Sequence, residues 1–150
     1  MALKVAIASD HGGFELKQEI MQLLNDLGIT FKDFGSYTPE AVDYPDYAFL
    51  VGSKVVNGEF DRGILICGTG VGISIAANKV KGVRCALVHD VFTASATRLH
   101  NDSNVLAMGG RVVGGELAKL IVKTWLAEQF MGAHHEARLN KITNYEENNT

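Results

Sequence analysis

Gly63-Ile64-Leu65-Ile66-Cys67-Gly68-Thr69-Gly70-Val71-Gly72 joins an apolar run to a cysteine, and then to a loop with glycine at every second position. The run from Gly63 to Cys67 reads as a buried strand and the stretch from Gly72 to Lys79 as a helix. Strand, glycine loop and helix in that order make one βα unit, so the segment points to a parallel α/β sheet. Glycines let the loop turn its N–H groups toward a bound group with no Cβ in the way. The start of the helix adds partial positive charge, which favours an anion there and, with it, the thiolate of Cys67. The chemistry suggested is a thiolate acting beside an oxyanion hole.

Outward from this segment, short apolar runs alternate with longer amphipathic ones. Strands are expected at Leu3 to Ala8, Ile29 to Phe34, Gly63 to Cys67, Arg84 to His89 and Val105 to Met108. Helices are expected at Phe14 to Leu27, Pro45 to Asn57, Gly72 to Lys79, Val91 to Leu99 and Gly114 to Phe130. The pattern predicts one α/β domain over residues 1–150, with a five-stranded parallel sheet between helical layers. In the first helix Leu16, Ile20, Leu23, Leu24 and Leu27 keep helical spacing and Gly28 stops it, so that face is core. The stretch Gly35 to Asp46 holds both prolines, Pro39 and Pro45, and is expected to form a loop over the site. The polar tail Tyr145 to Thr150 reads as frayed.

With 47% hydrophobic and 21% charged residues and a net charge of -3, the 150-residue chain does not look like a general nucleic-acid or membrane-surface binder. No apolar stretch reaches the ~20 residues that span a bilayer, and the N-terminus lacks the pattern of a secretory leader, so a cytoplasmic protein is expected. The two cysteines, Cys67 and Cys85, have no CxxC partner, which argues against a disulfide framework or a thiolate zinc site. Cys85 reads as a small core residue.

Ligands of open parallel sheets gather beyond the C-terminal ends of the strands. The residues expected there are Ser9-Asp10-His11-Gly12-Gly13, Cys67-Gly68-Thr69-Gly70, His89-Asp90 and Gly109-Gly110-Arg111. Asp10 can equally cap a helix, and His89-Asp90 is read as the cap of the next one. His100-Asn101-Asp102 lies just before the fifth strand, at the other edge of the sheet. It is either a polar turn or a contribution to the site of a second subunit.

Known uses of glycine loops can be tested on spacing. A dinucleotide loop needs G-x-G-x-x-G, but the glycines are Gly68, Gly70 and Gly72, with Ile73 at the third place. A Walker-type loop needs Gly-Lys-Ser or Gly-Lys-Thr, and no lysine precedes Lys79 in this region. A cysteine-dependent phosphatase would end the loop in arginine, where Ile73 and Ser74 stand. A thiol and N–H donors facing a charge that develops during reaction suit an enediolate, the intermediate that moves a carbonyl between C1 and C2 of a sugar.

Ser9-Asp10-His11-Gly12-Gly13, Asp43-Tyr44-Pro45, the run Ile66 to Lys79, His100-Asn101-Asp102 and Gly109-Gly110-Arg111-Val112-Val113 together resemble the type B ribose-5-phosphate isomerases. The likeness runs in order from the first strand to about Ile142. It implies a three-layer α/β/α Rossmann-like sandwich, a homodimer or tetramer acting on a phosphorylated aldose or ketose, and catalysis without metal or other cofactor. Carried over by position, Cys67 would be the base and Thr69 would assist proton movement at the sugar oxygens. N–H groups of Gly68, Gly70, Val71 and Gly72 would hold the enediolate. His100 from the partner would open the furanose ring, with Asp10 as its acid-base counterpart. His11, Arg111 and Arg138 would bind the phosphate, while Tyr44, Asn78 and Asn101 would position the sugar. The segment about 131–150 is expected to pack on the partner subunit.

Galactose-6-phosphate isomerase subunits share parts of the pattern. The chain departs from the pattern of the type B ribose-5-phosphate isomerases at Ala133-His134-His135-Glu136-Ala137-Arg138, where His134 stands in place of an expected phosphate arginine. An imidazole is shorter and only partly charged near neutrality, so a weaker or pH-dependent grip is expected, with allose 6-phosphate or another aldose as alternative substrates. A nucleotide-binding module without isomerase activity is the alternative of a different class.

Overall fold

The computed structural model describes residues 2–149. Parallel strands β1 (Lys4–Ser9), β2 (Thr30–Asp33), β3 (Arg62–Cys67), β4 (Cys85–Leu87) and β5 (Val105–Gly109) form one sheet in the order β2-β1-β3-β5-β4. Helices α1 (Phe14–Asp26), α4 (Val91–Asn101) and α5 (Gly115–Ala127) cover one face, and α2 (Tyr44–Val56) and α3 (Val71–Ala77) cover the other. The parallel sheet of βα units is what the alternation of runs predicted, and the three-layer Rossmann-like sandwich is what the family resemblance implied.

The two-residue period of the strands sorts the core. Along β3, Ile64 and Ile66 join the cluster built with α1 and α5, whereas Leu65 and Cys67 face α2 and α3. β1 divides in the same way, Val5 and Ile7 to one side and Ala6 and Ala8 to the other. Trp125 of α5 is fully buried, its Nε1–H donating to Ser103 Oγ at 2.9 Å, and the Arg62 guanidinium lies over its ring at 5.3 Å.

Strand order explains why one strand end can host chemistry. With right-handed crossovers, the chain steps one way along the sheet over α1 and α4, and the other way over α2 and α3. It therefore leaves β1 and β5 toward one face and leaves β3, between them, toward the opposite face. The C-terminal end of β3 is flanked by a crevice on both sides, and Cys67 stands there.

Three expectations are corrected. His100 and Asn101 are helical, in the last turn of α4, which ends on Asp102 in the left-handed region (φ 47). Arg98 and Arg84 donate to the Asp102 carboxylate at 2.8 and 3.2 Å and hold that unusual cap. β4 is shorter than the expected strand from Arg84 to His89, with three paired residues at the edge of the sheet. The C-terminal tail is not frayed: α6 (His134–Asn148) runs through it, and Glu146 Oε1 accepts the Gly82 N–H at 2.8 Å. Apolar periodicity could not reveal α6, because none of its residues is buried in the chain. Thr150, the last residue of that expectation, lies outside the described residues. Among the described residues no helix is long and apolar enough to cross a membrane.

Candidate functional site

The loops that follow β1, β3 and β5 interlock beyond the end of β3. Cys67 is 4% exposed, and its Sγ accepts the Gly70 N–H at 3.1 Å. Gly70 reaches that position with φ of 78°, a left-handed conformation that would strain any residue with a Cβ. The Val71 N–H is held by Thr69 Oγ1 at 3.2 Å. From the β5 side, the Gly110 and Arg111 N–H groups donate to the carbonyls of Cys67 and Gly68 at 2.8 and 3.0 Å. From the β1 side, Gly12 lies so close that an added Cβ would stand 2.8 Å from Gly68 N. The sequence placed these three glycine segments together beyond the strand ends, but spacing could not show that they bond to one another.

Side chains of the right chemistry ring this nest. Arg111 lies over Gly68, its Nη1 3.1 Å from where a Cβ would be, and it makes no ion pair among the described residues. Arg111 and His11 line a cleft of about 250 Å³ with Gly12, Gly110 and Pro39. Tyr44, the first residue of α2, lays its ring over Gly72 in the first turn of α3. The segment between β2 and α2 does lie over the site, because the Val42 N–H donates to His11 Nδ1 at 3.2 Å. Asp10 spends one carboxylate oxygen on a short cap, accepting the Gly12 and Gly13 N–H groups at 2.8 and 3.2 Å. Asp90 caps α4 through the Thr93 N–H at 2.7 Å, as expected, but His89 does not cap. Its Nε2 accepts the Gly109 N–H at 2.9 Å and ties β4 to the β5 loop.

The other expected residues form a second group. His100 stacks on His135 with ring centroids 4.3 Å apart, and the His134 ring lies tilted against His135 at 4.0 Å. Loss of water around its ring, followed by the charges of His134, His100 and Arg138, pushes the His135 imidazole below its ordinary range. The rings stack instead of converging, and no cluster of His, Cys, Asp or Glu among the described residues is placed to hold a metal ion. Asn101 and Asn78 line a cavity of about 500 Å³ under α6. Both polar atoms of the Asn78 amide are taken by the backbone of Cys85, at 2.8 and 2.9 Å. Since α4 ends where β5 begins, the second group belongs to the N-terminal edge of the sheet and Cys67 to the C-terminal edge. One chain does not bring them together.

The model of the ribose/galactose isomerase family matches residues 5–142. The chain belongs to that family. Ribose-5-phosphate isomerase B of Escherichia coli is 51% identical over 144 residues, covering 96% of this chain and 97% of that protein. The structure of Clostridium thermocellum ribose-5-phosphate isomerase B superposes with a TM-score of 0.97 at 50% identity, over 99% of this chain and all of that one. The Mycoplasma genitalium enzyme, determined with bound ribulose 5-phosphate, gives a TM-score of 0.93 at 45% identity over 100% of this chain and 99% of its own. A Pectobacterium atrosepticum relative, 41% identical over 96% of this chain and 95% of its own length, is a D-erythrulose-4-phosphate isomerase.

In this isomerase the two thiols stand in different surroundings. Burial pushes Cys85 up to about 12, so it stays a neutral thiol at any working pH. Alkylation of the folded enzyme near pH 8 is therefore expected to spare Cys85, with any adduct on Cys67; peptide mass mapping checks this, and labelling of Cys85 ahead of Cys67 would refute it. Two residues tied to these groups escaped the sequence reading. His135 was visible as the second member of the His134-His135 pair, but nothing in its spacing announced the stack on His100. Lys17 shares the apolar side of α1 with Ile20 and Leu24, where a lysine is out of place, and that misfit was the available signal.

Proposed function

We propose that this isomerase interconverts ribose 5-phosphate and ribulose 5-phosphate through an enediolate, with Cys67 as the base. The observation that carries the reading is the Cys67 sulfur accepting the Gly70 N–H at the head of the glycine loop, beside a cleft that offers His11 and an unpaired Arg111. Cys67 takes the proton from C2 of the open-chain aldose, and that electron pair forms the C1–C2 double bond, leaving the charge on O1. N–H groups of the Gly68 to Gly72 loop hold the charged oxygen. The thiol then returns the proton to C1 while the hydroxyl proton of O2 passes to O1 by way of Thr69. His11 and Arg111 hold the phosphate, and Tyr44 bounds the sugar.

Ring opening falls to His100 of a second copy, with Asp10 across from it and Asn101 on the sugar. The second copy also brings Arg138 and His134 to the phosphate. Three features support this pairing: the two groups lie at opposite edges of the sheet, α6 has no buried residue of its own, and Val71, Ile75, Leu87 and Phe92 are exposed on neighbouring elements. Nothing in the chain's own contacts calls on Asn78 to touch the sugar unless it releases Cys85. Coupled assays with ribose 5-phosphate, D-erythrulose 4-phosphate and allose 6-phosphate test the substrate. The reading expects the pentose phosphate to give the highest kcat/KM, and a faster reaction with either other sugar would replace it.

His134 is the residue that tunes the phosphate grip. His134→Arg is expected to tighten pentose phosphate binding by about 1 to 2 kcal/mol, the worth of a charge-assisted guanidinium contact. Steady-state kinetics of both proteins decide it: a KM for ribose 5-phosphate unchanged by the substitution would remove His134 from the phosphate.

A further inference from the structure

The Lys17 side chain is completely buried, and its ammonium group ends on two oxygens: Asp33 Oδ1 at 2.7 Å and the Ser36 carbonyl at 2.7 Å. The rings of Phe14 and Tyr37 lie 5.6 and 5.7 Å from the nitrogen. A buried charge is costly to desolvate, and an apolar residue in its place often serves stability as well or better. What a lysine adds is direction, and here the direction is toward one loop. Asp33 Oδ1 also accepts the Gly35 N–H at 2.9 Å, and the Tyr37 hydroxyl donates to the Asp33 carbonyl at 3.1 Å. Ser36 and Ser9 are tied in turn, Ser36 N–H to Ser9 O at 2.7 Å and Ser9 N–H to Gly35 O at 2.8 Å. The loop thus starts from a clamp fixed to the end of β1, turns through the Ser36 hydroxyl on the Thr38 carbonyl at 2.6 Å, and delivers the Val42 N–H to His11 Nδ1.

That last hydrogen bond selects a tautomer. A ring nitrogen that accepts from an N–H carries no proton, so the His11 proton is on Nε2. We infer that Lys17 is a positioning residue: by anchoring the 34–42 loop it holds His11 in the Nε2–H form, so that the imidazole offers a proton to the substrate's phosphate beside Arg111. The inference rests on the phosphate role proposed for His11. Neither Lys17 nor Val42 touches the substrate.

Imidazole nitrogen chemical shifts of wild type, Lys17→Met and Val42→Pro test it, together with steady-state kinetics. Methionine keeps the apolar stem of Lys17 and removes the charge; proline removes the Val42 donor while also fixing φ there, and serves if Lys17→Met fails to fold. Wild type should show His11 with its proton on Nε2, and each variant a mixture of tautomers. KM for ribose 5-phosphate should rise about tenfold in the variants with kcat within about twofold, as expected when a phosphate contact common to ground and transition states is weakened. Inorganic phosphate should move the His11 Nε2 resonance in wild type and less in the variants. That arm decides the inference even if wild type proves inactive on ribose 5-phosphate, a result that would instead overturn the proposed substrate. A wild-type His11 protonated on Nδ1 would overturn the inference, as would variants with wild-type shifts. Altered shifts with an unchanged KM and an unchanged phosphate response would do so too.

Discussion

Cys67→Ala is expected to reduce kcat for ribose 5-phosphate by ~100-fold or more, the usual worth of a positioned base, with the melting temperature close to that of wild type. Alanine fits the position because its surroundings are small: Gly109 of β5 is paired with it, and Ala8 and Ala107 stand one pleat lower on the same α2 and α3 face of the sheet. What is lost is the proposed proton acceptor and the partner of the Gly70 N–H, not a large apolar surface. Serine at this position should restore little, since its hydroxyl is far less acidic than a thiol and yields almost no anion near neutrality. The measurement is turnover at saturating substrate, paired with thermal unfolding. An alanine variant retaining more than about a tenth of wild-type turnover would take Cys67 out of the role of base, given what such a base contributes.

His100 gives the second large effect, and the sheet itself supplies the argument. Between the end of α4 and the site runs the length of β5, five residues at ~3.3 Å each or about 16 Å, far beyond hydrogen-bond reach. His100→Asn should cripple turnover of the furanose phosphate while sparing a substrate that is already open-chain, because only ring opening needs the imidazole. Equal losses on both would dismiss the ring-opening role. Mixing inactive Cys67→Ala and His100→Asn proteins should then regenerate activity. In a mixed two-fold dimer one of the two shared sites has both wild-type residues, so random exchange predicts about a quarter of wild-type activity. A verified mixed dimer with none would place the whole site in a single chain.

Much of the site was legible because its parts are local. The Cys67 to Gly72 loop, the Asp10 to Gly13 turn and the Gly109 to Arg111 turn each follow a strand directly, and their composition reflects backbone demands that act over a few residues. Asp90 as a helix cap was legible for the same reason. His89 was misread because its partner, the Gly109 N–H, lies 20 residues away along the chain. The α4 ending was misread for a similar cause: only the distant Arg84 and the neighbouring Arg98 make a left-handed Asp102 tolerable, so the helix runs on through His100 and Asn101. α6 was missed because it buries nothing within the chain, and burial is what writes periodicity into a sequence.

From the sequence alone came the α/β alternation, the five strands, the glycine loop with its thiol and the resemblance to the isomerases, all of which depend on patterns of neighbours. The order β2-β1-β3-β5-β4, which isolates the end of β3 between two crevices, came only with the tertiary structure. So did the interlocking of three glycine segments around Cys67, the stack of His100 on His135 and the hold of buried Lys17 on the loop above His11. Residue spacing records periodic burial and local turns, whereas contacts between distant segments depend on where crossovers place whole strands, which no single segment encodes.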